Sequence, residues 1–367
     1  MKVIRPSLIL DEAVCKANIQ RIVTKAKESR VLLRPHFKTH QSHTIARWYA
    51  EAGVRQCTVS SVAMASYFAA DGWTDITIAF PINTLEINTI RELSETINLH
   101  VTLESVEAVY ELNKLLNHRV GCYIEIDTGY HRTGIHANDS SKIEAILQAM
   151  EKSPMLLWKG FLSHAGHSYK CRTKEEVQEI HLQDVKYMEA LKKAYLSRYP
   201  SILVSIGDTP SCSIMPGFFG IDEIRPGNLI FYDLTQVAIG SCSREQIALL
   251  MVCPVVAMYP ERNEVIIHGG SVHFSKDMLQ VGGCSMYGEV IYFKGGTWNP
   301  TPTGMYLKSL SQEHGIIHVP NEQVHSINVG DVLGVLPVHA CLTADAMGEY
   351  VSLNGGVISM MPKRYLK

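Results

Sequence analysis

Two hydrophobic rhythms follow one another along this 367-residue chain. Through the first two thirds, short apolar runs alternate with segments whose apolar residues recur every three or four positions. That pattern predicts strands alternating with amphipathic helices. The strand-like runs cover 30–35, 56–60, 75–80, 98–103, 122–127, 159–164, 202–207 and 229–232. Helical periodicity fills 11–27, 41–52, 62–70, 84–95, 105–117, 138–151 and 173–197. Ser105 and Asp139 stand where N-caps belong, just ahead of two of these segments. Eight strands alternating with helices over about 220 residues predict a closed (β/α)8 TIM barrel in preference to an open sheet.

After about residue 240 the helical rhythm stops. Strand-like runs at 247–258, 264–268, 289–293, 305–310, 316–319 and 332–335 are separated by Gly, Pro and Asn turns. This texture predicts a C-terminal all-β domain over 241–367, following a barrel over 10–240.

Composition narrows the function. Hydrophobic residues make up 46% and charged residues 19%, enough apolar material for a large core. The formal charge is 34 − 36 = −2, without a basic stripe, so neither nucleic acid nor an anionic membrane is expected as partner. The longest apolar run, 247–259, has 13 residues and contains Pro254, too short to cross a bilayer. The N-terminus lacks a secretory pattern, and nine scattered cysteines form no CxxC pairs. They read as reduced thiols of a cytoplasmic protein acting on small molecules.

The stretch Arg34-Pro35-His36-Phe37-Lys38-Thr39-His40 places one lysine after the first strand, with two histidines and an arginine around it. Nearby cations and partial burial lower a lysine's pKa, and a neutral amine is what a Schiff-base nucleophile needs. A solvated basic turn reads these seven residues equally well. In a parallel barrel, reactive groups gather at the carboxyl ends of the strands. There lie 127–134 with Arg132, 164–169 with two histidines, 207–211 with Thr209, and 225–228. The glycine and hydroxyl residues of 207–213 and the Gly227-Asn228 pair suit a phosphate, although a plain turn has the same composition. Arg132, between Gly129 and Gly134, suits a phenolate or carboxylate, or else is a surface arginine. An imine lysine, phosphate donors and a phenolate-binding arginine together describe a pyridoxal phosphate site. Nucleotide motifs are absent.

A second constellation is His339-Ala340-Cys341. On a strand or extended turn, residues two apart point to one side, so imidazole and thiolate converge on one ion. Such ligands suit zinc, and two of them leave positions open for substrate. A core histidine beside a buried cysteine is the plain alternative.

The segments RPHFKTH, DTGYHRTGI, HAGHSY, GDTPS, IRPGNLIFYD, SLSQEHG and HACLTAD run in order from residue 34 to residue 345. Together they resemble the eukaryotic-type D-serine dehydratase and D-threonine aldolase family, fold-type III pyridoxal phosphate enzymes related to alanine racemase. The resemblance implies an alanine racemase-like barrel, with residues 1–9 joining the β domain. It implies Lys38 as the imine lysine and Arg132 near the cofactor's 3′ oxygen. Tyr169, Thr209, Gly227 and Asn228 match cofactor contacts, and Arg225 sits where a pyridine-facing arginine belongs. His339 and Cys341 match the metal pair. Relatives of this kind are commonly homodimers. Two positions depart from the pattern: Gln41 replaces a lysine, and bulky Phe37 alters the packing behind Lys38.

The resemblance thus implies a lyase using pyridoxal 5'-phosphate and a divalent metal on a D-3-hydroxy amino acid. Cys341, where bacterial aldolases carry aspartate and prefer manganese, tilts the expectation toward zinc and dehydration to a 2-keto acid and ammonia; manganese and magnesium are the other metals considered. Aldol cleavage to glycine and an aldehyde is the runner-up. Racemisation and non-catalytic cofactor carriage are the remaining alternatives.

Overall fold

Runs rich in Val, Ile, Leu and Cys make the strands of one unit, residues 20–227 of a computed structural model that describes residues 3–363. They are β1 (Leu32–Leu33), β2 (Cys57–Val59), β3 (Asp75–Pro81), β4 (Asn98–Leu103), β5 (Val120–Asp127), β6 (Leu156–Ser163), β7 (Leu203–Ile206) and β8 (Glu223–Ile224). All eight are parallel, in the order β1-β8-β7-β6-β5-β4-β3-β2. The ends of this curled sheet meet at one bridge, His36 beside Thr58, where the Thr58 N–H donates to Pro35 O at 2.9 Å.

Helices follow the strands as the periodicity predicts. The helix Val106–Leu115 starts on Ser105, whose hydroxyl accepts from Ala108 N at 3.2 Å. The helix Ser140–Glu151 starts on Asp139, which accepts from Lys142 N at 3.0 Å. Before the helix Lys174–Tyr195, Thr173 and Glu176 form a reciprocal capping box.

The expected strand at 229–232 is not one. Residues Asn228–Ile230 form a 3-10 turn in which Asn228 O accepts from the N–H groups of Phe231 and Tyr232. Leu229, Ile230 and Phe231 are all buried, and a short run buried on every side carries no period to tell coil from strand. The eighth strand is Glu223–Ile224, two residues long and half of it an acid. Glu223 is there because Arg34 is: the buried pair meets at 2.6 Å, and Arg34 also bonds Asp75. Ser205 Oγ donates to the other Glu223 oxygen at 2.5 Å. A polar layer therefore ties β1, β3, β7 and β8 together below the strand ends.

The second unit joins the N-terminal residues through Ile19 to the chain from Asn228 onward. Its six main strands close an antiparallel barrel: Glu264–His268, His314–His318, Tyr306–Leu310, Gly288–Lys294, Val332–Pro337 and Leu249–Tyr259, the last pairing back to the first. Ser7–Leu10 lies antiparallel to Leu249–Tyr259 and parallel to Glu349–Ser352.

Candidate active site

Lys38 sits in a 3-10 turn, Phe37–Thr39, that follows β1. The turn is held from below by Phe37, fully buried, whose ring lies 4.7 Å from Trp73 and 4.9 Å from Phe68. Lys38 itself is exposed, and its backbone N–H points at His36 Nδ1, 3.4 Å away. Gly227 lies against this turn. A Cβ there would stand 2.7 Å from Thr39 Oγ1 and 3.1 Å from His36 O, so only glycine allows the approach.

The groups expected around the lysine are partly corrected. Arg34 is buried in its ion pairs with Glu223 and Asp75. His40 turns into the aromatic cluster, 4.6 Å from the Phe37 ring, where burial pushes its pKa down to about 3. Motif neighbours such as these are structural. The cations that Lys38 joins come instead from other strand ends. Burial, followed by the charges of Lys38, Arg225, His164 and Arg132, holds His36 well below the usual histidine range. Burial and then Lys38 push His164 down to about 3. His164 Nδ1 donates to Gly207 O at 2.6 Å, which fixes the tautomer and leaves Nε2 as an acceptor.

Arg132 lies 5.2 Å from the centre of the Tyr130 ring. Arg225 is buried, with one terminal nitrogen on Ser205 Oγ and the other on Ser163 O. Tyr169 OH accepts from the Thr209 N–H at 3.1 Å. The Ser211 N–H is taken by Asp208, the N-cap of the helix Thr209–Ile214. Two of the backbone donors expected from 207–213 are therefore already used inside the protein. An amine, two guanidiniums and two imidazoles kept neutral by burial have the chemistry to hold an anionic aldehyde such as pyridoxal phosphate.

The second unit holds the other cluster. His339 and Cys341 are not on a strand: His339 is the extended N-cap residue, and Cys341 lies in the first turn, of the helix Ala340–Met347. The bend at the cap, not strand alternation, brings the two side chains into hydrogen-bond contact. Asp277 bonds His339 Nδ1 at 2.7 Å. Burial works against a charged His339, but Asp277 and Cys341 hold its pKa up at about 11. A carboxylate behind a histidine is the usual support of a metal-bound imidazole, so these residues fit a divalent ion at the other ring nitrogen. Asn228 donates to Cys341 Sγ at 3.5 Å and to Asp233 Oδ2 at 2.7 Å, and the same Asp233 oxygen accepts the Ala340 N–H at 3.0 Å.

Asp277 and Asp233 escape sequence reasoning. Asp233 carries a signal, an acid just ahead of the helix Leu234–Ile239 that it caps; Asp277 carries none. His268, His273 and Glu313 also bring ligand-type atoms within 4.8 Å of one another. There, however, His273 Nδ1 accepts the Gly270 N–H, which leaves the proton on Nε2 facing Glu313 and makes the trio a polar contact.

The family model for the alanine racemase N-terminal domain matches residues 10–235, and one described as "Putative serine dehydratase domain" matches 248–353. The chain is 28% identical to a D-serine dehydratase of Dictyostelium discoideum, over 95% of this chain and 93% of that protein. It is 30% identical to a D-threo-3-hydroxyaspartate dehydratase of Delftia sp., with the same two coverages. The solved structure of the Delftia enzyme superposes with a TM-score of 0.90 at 27% identity, over 99% of this chain and 98% of that one. A cysteine-to-alanine variant of that enzyme has been solved in a metal-free form. A D-threonine aldolase of Arthrobacter sp. is 24% identical over 96% of this chain and 90% of its own length. Matched along both its parallel barrel and its β domain, the chain belongs to the D-serine dehydratase and D-threonine aldolase family of fold-type III pyridoxal phosphate enzymes, a family of lyases built like alanine racemase.

Proposed function

We propose that this protein is a pyridoxal phosphate- and metal-dependent dehydratase that converts a D-3-hydroxy amino acid, such as D-serine or D-threonine, to a 2-keto acid and ammonia. The observation that carries the reading is the His339–Cys341 pair with Asp277 behind it. A thiolate with a carboxylate-backed imidazole favours zinc over manganese or magnesium. The metal, when bound, supplies the Lewis acidity that a departing β-hydroxyl needs. The cofactor, when bound, supplies the sink for charge left on the α-carbon.

The chain's residues do the rest. Lys38 Nζ would hold the cofactor's aldehyde carbon and would take up the substrate's α-proton. His164 Nε2 is the second acceptor within the same group of charges, since its Nδ1 proton is committed to Gly207 O. Arg132 would hold the cofactor's 3′ oxygen. Tyr169, Thr209, Gly227 and Asn228 would hold the phosphate. Arg225, its guanidinium held by Ser205 Oγ and Ser163 O, would supply the positive charge toward the ring nitrogen and would disfavour its protonation. A weakened sink makes the metal's pull on the hydroxyl more important, which favours elimination. Nine free thiols fit a reducing cytoplasm, and the expected assembly is a homodimer, readable by light scattering.

Incubating the purified holoprotein with D-serine, D-threonine and 3-hydroxyaspartate tests the reaction. A keto acid with stoichiometric ammonia, lost on chelation and restored best by zinc, is the expected result. Glycine with an aldehyde would replace dehydration by aldol cleavage.

A further inference from the structure

Glu104 and Glu125 are carboxyls that the reaction above does not use. β4 and β5 pair in parallel with Thr102 beside Tyr123 and Leu103 beside Ile124, so Glu104, one residue past β4, comes level with Glu125. Glu125 is buried, and its Oε1 accepts from Thr133 Oγ1 at 2.7 Å. Its Oε2 and the Oε1 of Glu104 are buried with no hydrogen-bond donor, and the two carboxyls lie close enough to interact directly. Two carboxylate oxygens cannot bond without a proton, and two like charges in contact away from water do not both persist.

We propose that Glu104 and Glu125 hold one proton between them and act as a positioning pair for Arg132, releasing the guanidinium toward an anionic ligand while the proton is present. The charged groups that face Glu125 are Glu104 from the end of β4, Arg132 from the loop after β5, and Arg225 from the chain after β8. With the proton in place, the pair presents one negative charge to two arginines, which leaves one positive charge in excess. Losing the proton adds a second negative charge beside Arg132 and draws it inward. Burial first, and then the Glu104 charge and hydrogen bond, push Glu125 up to about 7, with Thr133 and Arg132 opposing, so the exchange falls at neutral pH. The ligand side of this inference rests on the cofactor reading of Arg132; the shared proton does not.

The test separates the two. Difference infrared spectra of the full-length protein, with and without bound cofactor, should show a protonated carboxyl band in mildly acidic solution that disappears through neutrality. Glu104→Gln keeps the hydrogen bond, because its amide donates to Glu125, but removes the proton. The band should be lost in that variant and in Glu125→Gln. Pyridoxal phosphate affinity should weaken with rising pH in the wild type and lose that pH dependence in Glu104→Gln. A wild type without the band, or a band surviving in both variants, overturns the shared proton. Pyridoxal phosphate affinity that ignores pH while the band titrates overturns the positioning role. Failure to bind pyridoxal phosphate at all, with the band intact, sinks the cofactor reading and spares the pair.

Discussion

The Asn228 side-chain amide donates to Cys341 Sγ at 3.5 Å, across 113 residues of sequence. The same nitrogen donates to Asp233, whose carboxylate also holds the backbone at Ala340, so the turn at Asn228 and the first turn of the Ala340–Met347 helix are one hydrogen-bonded body. A residue read as a cofactor contact is thus mechanically joined to a residue read as a metal ligand.

Breaking that join should loosen the metal. Asn228→Ala removes a donor from a buried carboxylate and from the thiol, and should weaken zinc binding about 10-fold, the low end for losing an outer hydrogen bond of a metal site. The buried Asp233 left short of a donor should cost about 1–3 kcal/mol of stability. Competition with a chromogenic chelator and urea unfolding measure the two effects.

Buried charge predicts a larger effect inside the parallel barrel. Arg34→Met leaves Glu223 buried without its ion-pair partner, and should cost about 3–5 kcal/mol. Adding Glu223→Leu should recover most of the loss, because the pair's attraction is largely offset by its desolvation. Chemical denaturation of the single and double variants checks both statements.

Acid should destabilise the same unit through its histidines. Burial holds His40 and His164 at about 3, and His100 and His181 at about 4, against 6.5 for a free imidazole. Between these limits the unfolded chain binds more protons, so stability rises with pH and is lost as pH falls below about 6.5. Glu125, raised to about 7, Asp208, raised to about 6, and buried Asp184, also raised, act the other way, but the four histidines, joined by His36 and His167, outnumber these three carboxyls. His40→Asn keeps an acceptor for the Ser42 N–H and should flatten the slope, at some loss of stability near neutrality from the vacated aromatic cluster. Unfolding free energies across a pH series report the slope directly.

How far the sequence carried depends on how local each feature is. The lysine turn and the His339–Cys341 pair are short strings, legible as chemistry before any fold is known. Even there, Arg34 and His40 turn into buried ion pairs and an aromatic cluster instead of the lysine's surroundings, because adjacency in sequence says nothing about which way a side chain turns. The Arg34–Glu223 pair spans 189 residues and the His339–Asp277 bond spans 62, and neither partner announces the other. The eighth strand was misplaced for a related reason: β8 exists because Glu223 must reach Arg34, while the more apolar 229–232 is buried as coil.

The choice of metal follows from one atom and can be moved by one substitution. Cys341 lies in the first turn of its helix, where a carboxylate is favoured by the helix dipole, so Cys341→Asp should fold. An aspartate oxygen still accepts the Asn228 amide proton, which keeps the junction with Asp233. The ligand, however, changes from a soft thiolate to a hard carboxylate, and harder ligands suit manganese and magnesium better than the thiolate does. Zinc affinity should fall and manganese affinity should hold or rise, so the ratio of the two should drop by at least about 10-fold. Titrating both ions into the chelated variant reads that ratio without any turnover. An unchanged ratio would mean that Cys341 does not touch the metal, and the lean toward zinc-assisted dehydration would lose its basis.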